Sequence, residues 1–221
     1  MKLHWSPRSP FVRKVMIVLH ETGLTDRVEC VRSVVAFSAP PNEAVLTDTP
    51  LGKIPTLVLD DGTSRYDSRV IAEYLDGLHD GPKLFPAEPD LRFRQLCWLA
   101  LADGMTDILL LWRNERTRPS GPYDVHLTAF ETKIRAAFGE LERQSGAVAR
   151  RPFGIGQIAV ICMLGQMDFR FAGSEWEKAH PGLASWYRTM EGRRSVAATA
   201  IRDDSAPSPA SQDDSRSPFT F

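Results

Sequence analysis

The segment Leu51-Gly52-Lys53-Ile54-Pro55-Thr56-Leu57-Val58 places a proline at the entrance of a short apolar strand. Proline cannot donate a backbone hydrogen bond, so within a sheet it occurs at the first residue of a strand or on an edge. Gly52 permits the tight turn that precedes it. The Ile54–Pro55 bond is either trans, opening an edge strand, or cis, which turns the Ile54 backbone outward to pair with an extended peptide. These residues alone favour the trans form.

The composition excludes several classes of protein. The 221 residues suffice for one large domain or two modest ones. A net charge of −1 provides neither a basic field for nucleic acid nor an acidic field for a cationic partner. The longest apolar stretch, around Leu99 to Trp112, is interrupted by Asp103 and Asp107, so we expect no membrane span. The N-terminus shows no apolar run typical of a signal peptide.

The cysteines indicate a reducing compartment. Cys30, Cys97 and Cys162 are far apart and form no C-x-x-C motif. An odd number without characteristic spacing predicts reduced, buried thiols in a cytoplasmic protein. We expect no metal site.

The first eighty residues alternate between strand and helix patterns. A helix is predicted from Pro10, with Ser9 as N-cap and Gly23 as its end, and a second helix follows the cap Asp67-Ser68. Strands are predicted at 2–5, 27–35, 56–59 and 65–66, with a hairpin turn at 60–63. The order βαβ, loop, β-hairpin and helix predicts a mixed four-stranded sheet.

The second half is helical in pattern. Residues 80–90 carry three prolines and are predicted to be a linker. Helices are expected at 91–116, 123–144, 155–171, around 183–190 and at 195–201. The Ser-, Pro- and Asp-rich residues 203–221 are predicted to be a disordered tail. The expected domains are therefore 1–79 and 91–202.

Three motifs in this order resemble those of cytosolic glutathione transferases, in particular serine-type bacterial members. They are Ser9-Pro10-Phe11-Val12-Arg13-Lys14-Val15, Pro50-Leu51-Gly52-Lys53-Ile54-Pro55 and Tyr66-Asp67-Ser68-Arg69-Val70-Ile71-Ala72-Glu73-Tyr74-Leu75. The resemblance covers residues 1–200. It implies a thioredoxin-like glutathione-binding domain followed by an all-helical domain, and a cis Ile54–Pro55 bond.

The resemblance implies a role for each site residue. Ser9 would be catalytic, donating a hydrogen bond to the glutathione sulfur, with Ser6 as the alternative hydroxyl. The expected contacts of glutathione itself are Lys53, Ile54, Pro55, Asp67 and Ser68. The candidates for contacting the second substrate are Phe11, Met105, Leu109 and Trp112. A structural alternative exists for each: Ser9, Asp67 and Ser68 are ordinary capping residues, and Lys53 an ordinary turn lysine.

The implied activity is attack of the glutathione thiolate on small hydrophobic electrophiles, a detoxification reaction without further cofactor. The implied assembly is a cytoplasmic homodimer formed through the helix after Ser68 and the long helix after the linker. The chain departs from the family pattern at Gly154 and Gln157, where a Ser/Thr-x-x-Asp capping box is common. Ser9 in place of a cysteine argues against a reductase. The alternative function is a non-catalytic binding or assembly module of the same fold.

Overall fold

The structure, a computed structural model, describes residues 1–37, 39–204 and 217–221. The strands form one sheet in the order β2–β1–β3–β4, with β1 at Lys2–Trp5, β2 at Glu29–Arg32, β3 at Thr56–Val58 and β4 at Ser64–Arg65. β1 is parallel to β2 and antiparallel to β3, and β3 is antiparallel to β4. Leu3 and Leu57 face each other across β1 and β3 and are fully buried.

The helices account for most of the rest of the described chain. They are α1 Pro10–Thr22, α2 Glu43–Asp48, α3 Ser68–Asp76, α4 Pro89–Arg116, α5 Asp124–Arg150, α6 Ile155–Arg170, α7 Trp176–Ala179, α8 Pro181–Glu191 and α9 Arg194–Ala198. The predicted fold class, a thioredoxin-like domain followed by helices, is confirmed. The short helices α2 and α7 were not predicted, because four to six residues carry too little periodicity to detect.

Local signals explain where the important helices begin and end. The Ser9 side chain caps α1, Pro10 is its first residue, and Gly23 ends it in the left-handed region at φ 69°. At the start of α6, Gln157 Oε1 accepts a hydrogen bond from the Gly154 N–H at 3.0 Å. Its Nε2 donates to the Pro152 carbonyl, also at 3.0 Å. Glutamine thus fixes this helix start in place of the more common aspartate.

The chain divides into two compact units. The first unit comprises residues 1–95 together with 194–204, and the helical unit comprises residues 96–193 together with the end of the chain. The boundary predicted at residue 202 is therefore displaced, because α9 packs against α1 in the first unit. Ser195 of α9 also donates a hydrogen bond to Glu21 of α1.

The predicted tail, 203–221, is in part ordered. Residues 205–216 lie outside the described residues, so the prediction stands untested there. Asp204, however, forms ion pairs with Arg8 and Arg32. At the other end, the Ser217 and Phe221 N–H groups donate to carbonyls of the helical unit. Composition alone did not reveal that these residues have specific partners.

The expectation that the cysteines are buried is correct for one of the three. Cys30 and Cys97 are exposed and Cys162 is buried; Cys30 lies on β2, which is an edge of the sheet. By length and composition alone α4 is long and apolar enough to cross a membrane, although half of its most apolar stretch is buried inside the protein. Trp98, Leu109 and Trp112 are among its buried residues, as expected for a core helix.

Candidate functional site

The N-terminus of α1 presents a serine hydroxyl. Ser9 Oγ accepts a hydrogen bond from the Val12 N–H at 3.3 Å, so the side chain does cap the helix. A serine hydroxyl has two acceptor lone pairs and a separate O–H donor. Capping uses one lone pair and leaves the proton available for another acceptor. The structural role and the proposed chemical role of Ser9 are therefore compatible.

The N-terminus of α3 presents a second hydroxyl with a cation behind it. Ser68 is 2% exposed and is the first residue of α3. Lys14 of α1 is 1% exposed, and its Nζ donates a hydrogen bond to Ser68 Oγ at 3.1 Å. Because the Ser68 oxygen accepts from an ammonium group, its own proton points elsewhere. Lys14 thus joins α1 to α3 and prepares Ser68 to donate to an anion.

Asp67 and Lys53 are more exposed than Ser68. Asp67 is the N-cap of α3, with Oδ1 accepting from the Arg69 N–H at 3.0 Å. The Tyr66–Asp67 peptide bond before it is cis. Lys53 lies on the surface, and its carbonyl accepts a hydrogen bond from the Thr56 hydroxyl at 2.9 Å. The capping role of Asp67 is thus observed, and its second carboxylate oxygen is not needed for that cap.

The loop that carries Ile54 and Pro55 begins directly after α2. The Ile54–Pro55 bond is cis, Ile54 is half-buried and Pro55 is buried. Asp48, at the end of α2, accepts a hydrogen bond from Lys2 Nζ at 2.6 Å, and its Oδ2 lies 2.7 Å from His4 Nε2. These hydrogen bonds, first that from Lys2, hold the pKa of Asp48 below its usual range. They fix the end of α2 to β1, and with it the start of the loop.

The loop before α1 is held by the far end of the first unit. The Arg202 N–H donates to the Pro7 carbonyl at 3.3 Å. Asp204 pairs with Arg8 at 3.0 Å and with Arg32 at 2.5 Å. The hydrogen bond from Arg32 is the main cause of the lowered pKa of Asp204. This ion-pair cluster fixes the backbone immediately before Ser9.

Ser6, the alternative hydroxyl, has a different environment. Its side chain is 6% exposed, and its Oγ accepts from the Arg8 N–H at 3.4 Å. Its carbonyl accepts from the Ser9 N–H at 3.3 Å. Ser6 therefore lies inside the turn whose outer end is the partly exposed Ser9.

The second-substrate candidates are not equally accessible. Met105, Leu109 and Trp112 are at most 1% exposed. Trp112 is covered by the ring of Phe219, which stacks on it with the centroids 4.8 Å apart. Phe11, on α1, is half-buried, and Lys14 Nζ lies 5.3 Å from its ring centroid.

The geometry suits a bound anion and a polarised thiol. Two helices of the first unit begin at hydroxyl-bearing residues, where backbone N–H groups and the helix dipole favour negative charge. Lys14 adds a buried positive charge at one of them. Among residues 1–37, 39–204 and 217–221, no group of three His, Cys, Asp or Glu side chains could hold a metal ion.

Comparison with known proteins identifies this architecture. Residues 8–78 match the family model for the N-terminal domain of glutathione S-transferase, and residues 124–189 match the model for its C-terminal domain. The chain belongs to the glutathione S-transferase family. It is also 33% identical over 204 residues to the uncharacterized GST-like protein YibF of Escherichia coli K12. That match spans 90% of this chain and 98% of YibF.

Solved structures of family members are similar throughout. A glutathione transferase family member from Pseudomonas fluorescens Pf-5, with bound glutathione, is 42% identical with a TM-score of 0.88. The similarity covers 91% of this chain and 99% of that one. A glutathione S-transferase from Methylobacillus flagellatus KT with glutathione bound is 33% identical, with a TM-score of 0.81. That similarity covers 91% of this chain and 99% of the Methylobacillus flagellatus chain.

Several residues that shape the site were not predicted. Lys14 belongs to the first of the three motifs that resemble the family, but the sequence predicted no role for it. His4 and Asp48 form a partly buried polar link across 44 residues of sequence. Asp204 was assigned to a disordered tail. The charged pair Arg13-Lys14, on an otherwise apolar face of α1, could have indicated the role of Lys14, because a buried lysine needs a polar partner.

Proposed function

We propose that this glutathione S-transferase binds glutathione at the N-termini of α1 and α3 and activates its thiol for attack on small hydrophobic electrophiles. The observation that carries the proposal is the state of Ser9, whose oxygen caps α1 while its proton remains available. The bound glutathione in two similar solved structures supports it.

Ser9 acts by stabilising the thiolate. A free thiol has a pKa of about 8.5, so only a few per cent is ionised at neutral pH. A hydrogen bond from Ser9 together with the positive end of α1 lowers the thiol pKa by about one to two units, equivalent to about 1.5–3 kcal/mol. Most of the bound glutathione then reaches the reactive form near physiological pH.

Ser68 and Lys14 bind the γ-glutamyl end. The Ser68 hydroxyl and backbone N–H donate to its α-carboxylate, and Lys14 supplies positive charge behind the hydroxyl. Asp67 receives the ammonium group with the carboxylate oxygen that does not cap α3. Lys53 and the backbone of Ile54, beside Pro55, bind the remaining part of the peptide. Glutathione is the co-substrate, and the proposed chemistry requires no other cofactor.

In the reaction the thiol proton is lost to solvent and the sulfur lone pair forms a bond to an electrophilic carbon. A leaving group departs with the bonding electrons, or a conjugated double bond accepts them. The protein contributes by generating the nucleophile and holding it in place. Phe11 on α1 is the accessible candidate for contacting the electrophile, because Met105, Leu109 and Trp112 are buried.

The proposed assembly is a homodimer in the cytoplasm. Val70 on α3 and Phe93 on α4 leave 48% and 66% of their surface exposed, so both side chains are accessible for a contact between copies. Phe93→Asp should shift the protein towards monomers in analytical ultracentrifugation. An unchanged sedimentation coefficient for that variant would argue against this contact.

The decisive experiment is calorimetric titration of glutathione into the wild type, Ser9→Gly and Ser9→Thr, with the thiolate absorbance followed against pH. Glycine is a tolerable N-cap without a hydroxyl, and threonine keeps the hydroxyl. We expect all three to bind glutathione, and the wild type and Ser9→Thr to lower the thiol pKa. An unchanged pKa shift in Ser9→Gly would transfer the role to another group such as Ser6. Absence of binding at millimolar glutathione would favour the non-catalytic module.

A further inference from the structure

The side chain of His4 links segments of the first unit that are distant in sequence. His4 lies on β1 and is 2% exposed. Its Nδ1 lies 2.8 Å from the hydroxyl of Ser33, the residue after β2, and its Nε2 lies 2.7 Å from Oδ2 of Asp48, at the end of α2. A ring with its proton on Nε2 donates to the carboxylate and can accept from the hydroxyl. Both ring nitrogens of His4 therefore have a partner.

The backbone of His4 holds the start of β3. His4 pairs with Thr56 in the antiparallel register of β1 and β3. Thr56 is fully buried, and its hydroxyl donates to the Lys53 carbonyl at 2.9 Å. The segment 49–55, which we call the proline loop, is thus flanked by two residues that both contact His4. One contact is made by the side chain of His4 and the other by its backbone.

The first half of the proline loop is built on the end of α2. The Thr49 N–H donates to the Val45 carbonyl at 2.9 Å, and Thr49 is 1% exposed. The Gly52 N–H donates to the Thr49 carbonyl at 3.1 Å, and the Leu51 N–H donates to the Thr49 hydroxyl at 3.4 Å. Any displacement of α2 is therefore passed on to the proline loop.

Core packing does little to fix α2. The helix has six residues, of which only Val45 is buried. A helix this short is not stable by itself in water. Its last residue, Asp48, also accepts a hydrogen bond from Lys2 Nζ at 2.6 Å, but the Lys2 side chain is 39% exposed, and exposed ion pairs contribute little. The contact between Asp48 and the buried ring of His4 is therefore the main polar link that holds the end of α2.

We propose that His4 and Asp48 are positioning residues for glutathione, which they affect through the proline loop without touching the ligand. The inference rests on the proposed function, in which Lys53 and the Ile54 backbone bind part of the peptide. A loop that is already held in place need not be ordered when the ligand arrives. When the link is broken, the apparent affinity falls with the fraction of molecules whose loop has the binding conformation.

The test is calorimetric titration of glutathione into the full-length wild type, His4→Leu, His4→Gln and Lys2→Met. Leucine has no hydrogen-bonding group, yet both partners stay satisfied: Asp48 keeps Lys2, and the Ser33 hydroxyl donates to the Val31 carbonyl at 3.2 Å. Glutamine keeps a donor near the position of Nε2 and so retains the bond to Asp48. Lys2→Met is the matched control, because it removes a bond of similar length to the same carboxylate oxygen from the exposed side.

We expect His4→Leu to bind glutathione about tenfold more weakly than the wild type, with unchanged stoichiometry. His4→Gln and Lys2→Met should bind it within about threefold of the wild type. The thiol pKa of bound glutathione should be the same in all four proteins, because Ser9 lies outside the proline loop. Without ligand, amide hydrogen exchange at residues 51–54 should be faster in His4→Leu than in the other three.

Three results would overturn the inference while leaving the proposed function intact. They are equal affinity of His4→Leu and a wild type that binds glutathione, a reduced stoichiometry at unchanged affinity, and an altered thiol pKa in His4→Leu. The second would make His4 merely structural, and the third would place its effect at the sulfur. Failure of the wild type to bind glutathione would overturn the proposed function together with this inference, so the wild-type titration tells the two failures apart.

Discussion

The candidate glutathione site and the aromatic cluster of the helical unit, formed by Trp112, Phe138, His180, Phe219 and Phe221, are built in opposite ways. In the first unit, Ser9, Asp67 and Ser68 stand at helix starts, where each side chain or backbone group is positioned within three or four residues of sequence. In the helical unit, the aromatic cluster is completed by Phe219 and Phe221, whose rings contact Trp112 and Phe138, 107 and 83 positions earlier in the chain. A site made from helix caps depends mainly on neighbouring residues, with a few distant contacts such as that from Lys14 to Ser68. A cluster made from distant rings depends on each of them.

The largest expected effects are on core stability, and the two regions should differ in how strongly these effects depend on the end of the chain. Phe138 and Leu57 are both fully buried, one in each unit. We expect Phe138→Ala to lower the free energy of unfolding by about 3–5 kcal/mol and Leu57→Ala by about 2–5 kcal/mol. In a Phe221→Ala background the cost of Phe138→Ala should fall by about 1 kcal/mol, while that of Leu57→Ala should not change. Urea denaturation measures the cost of each substitution with and without Phe221→Ala. If the cost of Phe138→Ala is the same in both backgrounds, the expected difference between the two units is wrong.

A second expectation concerns the charge behind Ser68. Lys14→Met keeps the length and the apolar stem of the side chain but removes the hydrogen bond to Ser68 Oγ. If glutathione binds as proposed, the variant should bind it about tenfold more weakly. The control ligand is 4-aminobutyryl-cysteinyl-glycine, which lacks the γ-glutamyl α-carboxylate. Calorimetry should show that wild type and Lys14→Met bind this analogue equally; an equal loss for both ligands would make Lys14 merely structural.

A third expectation separates capping from chemistry at Ser9. Ser9→Ala should destabilise the protein by about 1 kcal/mol, whereas Ser9→Gly should cost only a few tenths. Urea midpoints measure this difference directly. Asp67→Ala, which removes the side-chain cap of α3, should cost a similar amount to Ser9→Ala. If Ser9→Ala proved as stable as the wild type, the hydrogen bond from the Val12 N–H to Ser9 Oγ would contribute nothing measurable to stability.

The smallest expected effect is an acid dependence of the helical unit. Glu115 accepts hydrogen bonds from Arg118 and from the Tyr123 N–H, and these lower its pKa to about 2. A lowered folded-state pKa stabilises the protein above the unfolded pKa, and that contribution disappears as the pH falls towards the folded pKa. The stability gap between wild type and Glu115→Gln should be constant above about pH 5 and shrink between about pH 4.5 and pH 2. Urea midpoints at three pH values test this, and a gap that persists in acid would contradict it.

What could be predicted from sequence follows the same division. The limits of α1 and the start of α3 were predicted to within a residue, because serine, proline, aspartate and glycine act on their immediate neighbours. All four strands exist where they were predicted, but β2 and β3 are shorter than expected and β4 lies one residue earlier. α5 runs to Arg150, six residues beyond the prediction, because the helix continues through Gly146.

What could not be predicted depends on partners that are distant in sequence. Lys14 is explained by Ser68, 54 residues later, and Asp48 by His4, 44 residues earlier. The composition of residues 203–221 favours disorder, yet two phenylalanines found aromatic partners and Asp204 found two arginines. Periodicity and composition describe a segment by itself, so they carry no information about which other segment it will meet.

The first unit is discontinuous, and this has a consequence for synthesis on the ribosome. Its second piece, residues 194–204, supplies α9 against α1 and Asp204 against Arg8, the residue that precedes Ser9. Residues 96–193 are translated between the two pieces, which takes about 5–20 s at about 5–20 residues per second. During that interval α1 lacks its cover and the turn before Ser9 lacks its ion pairs. The nascent first unit therefore acquires its binding-competent form only after residues 96–193 of the helical unit have been translated.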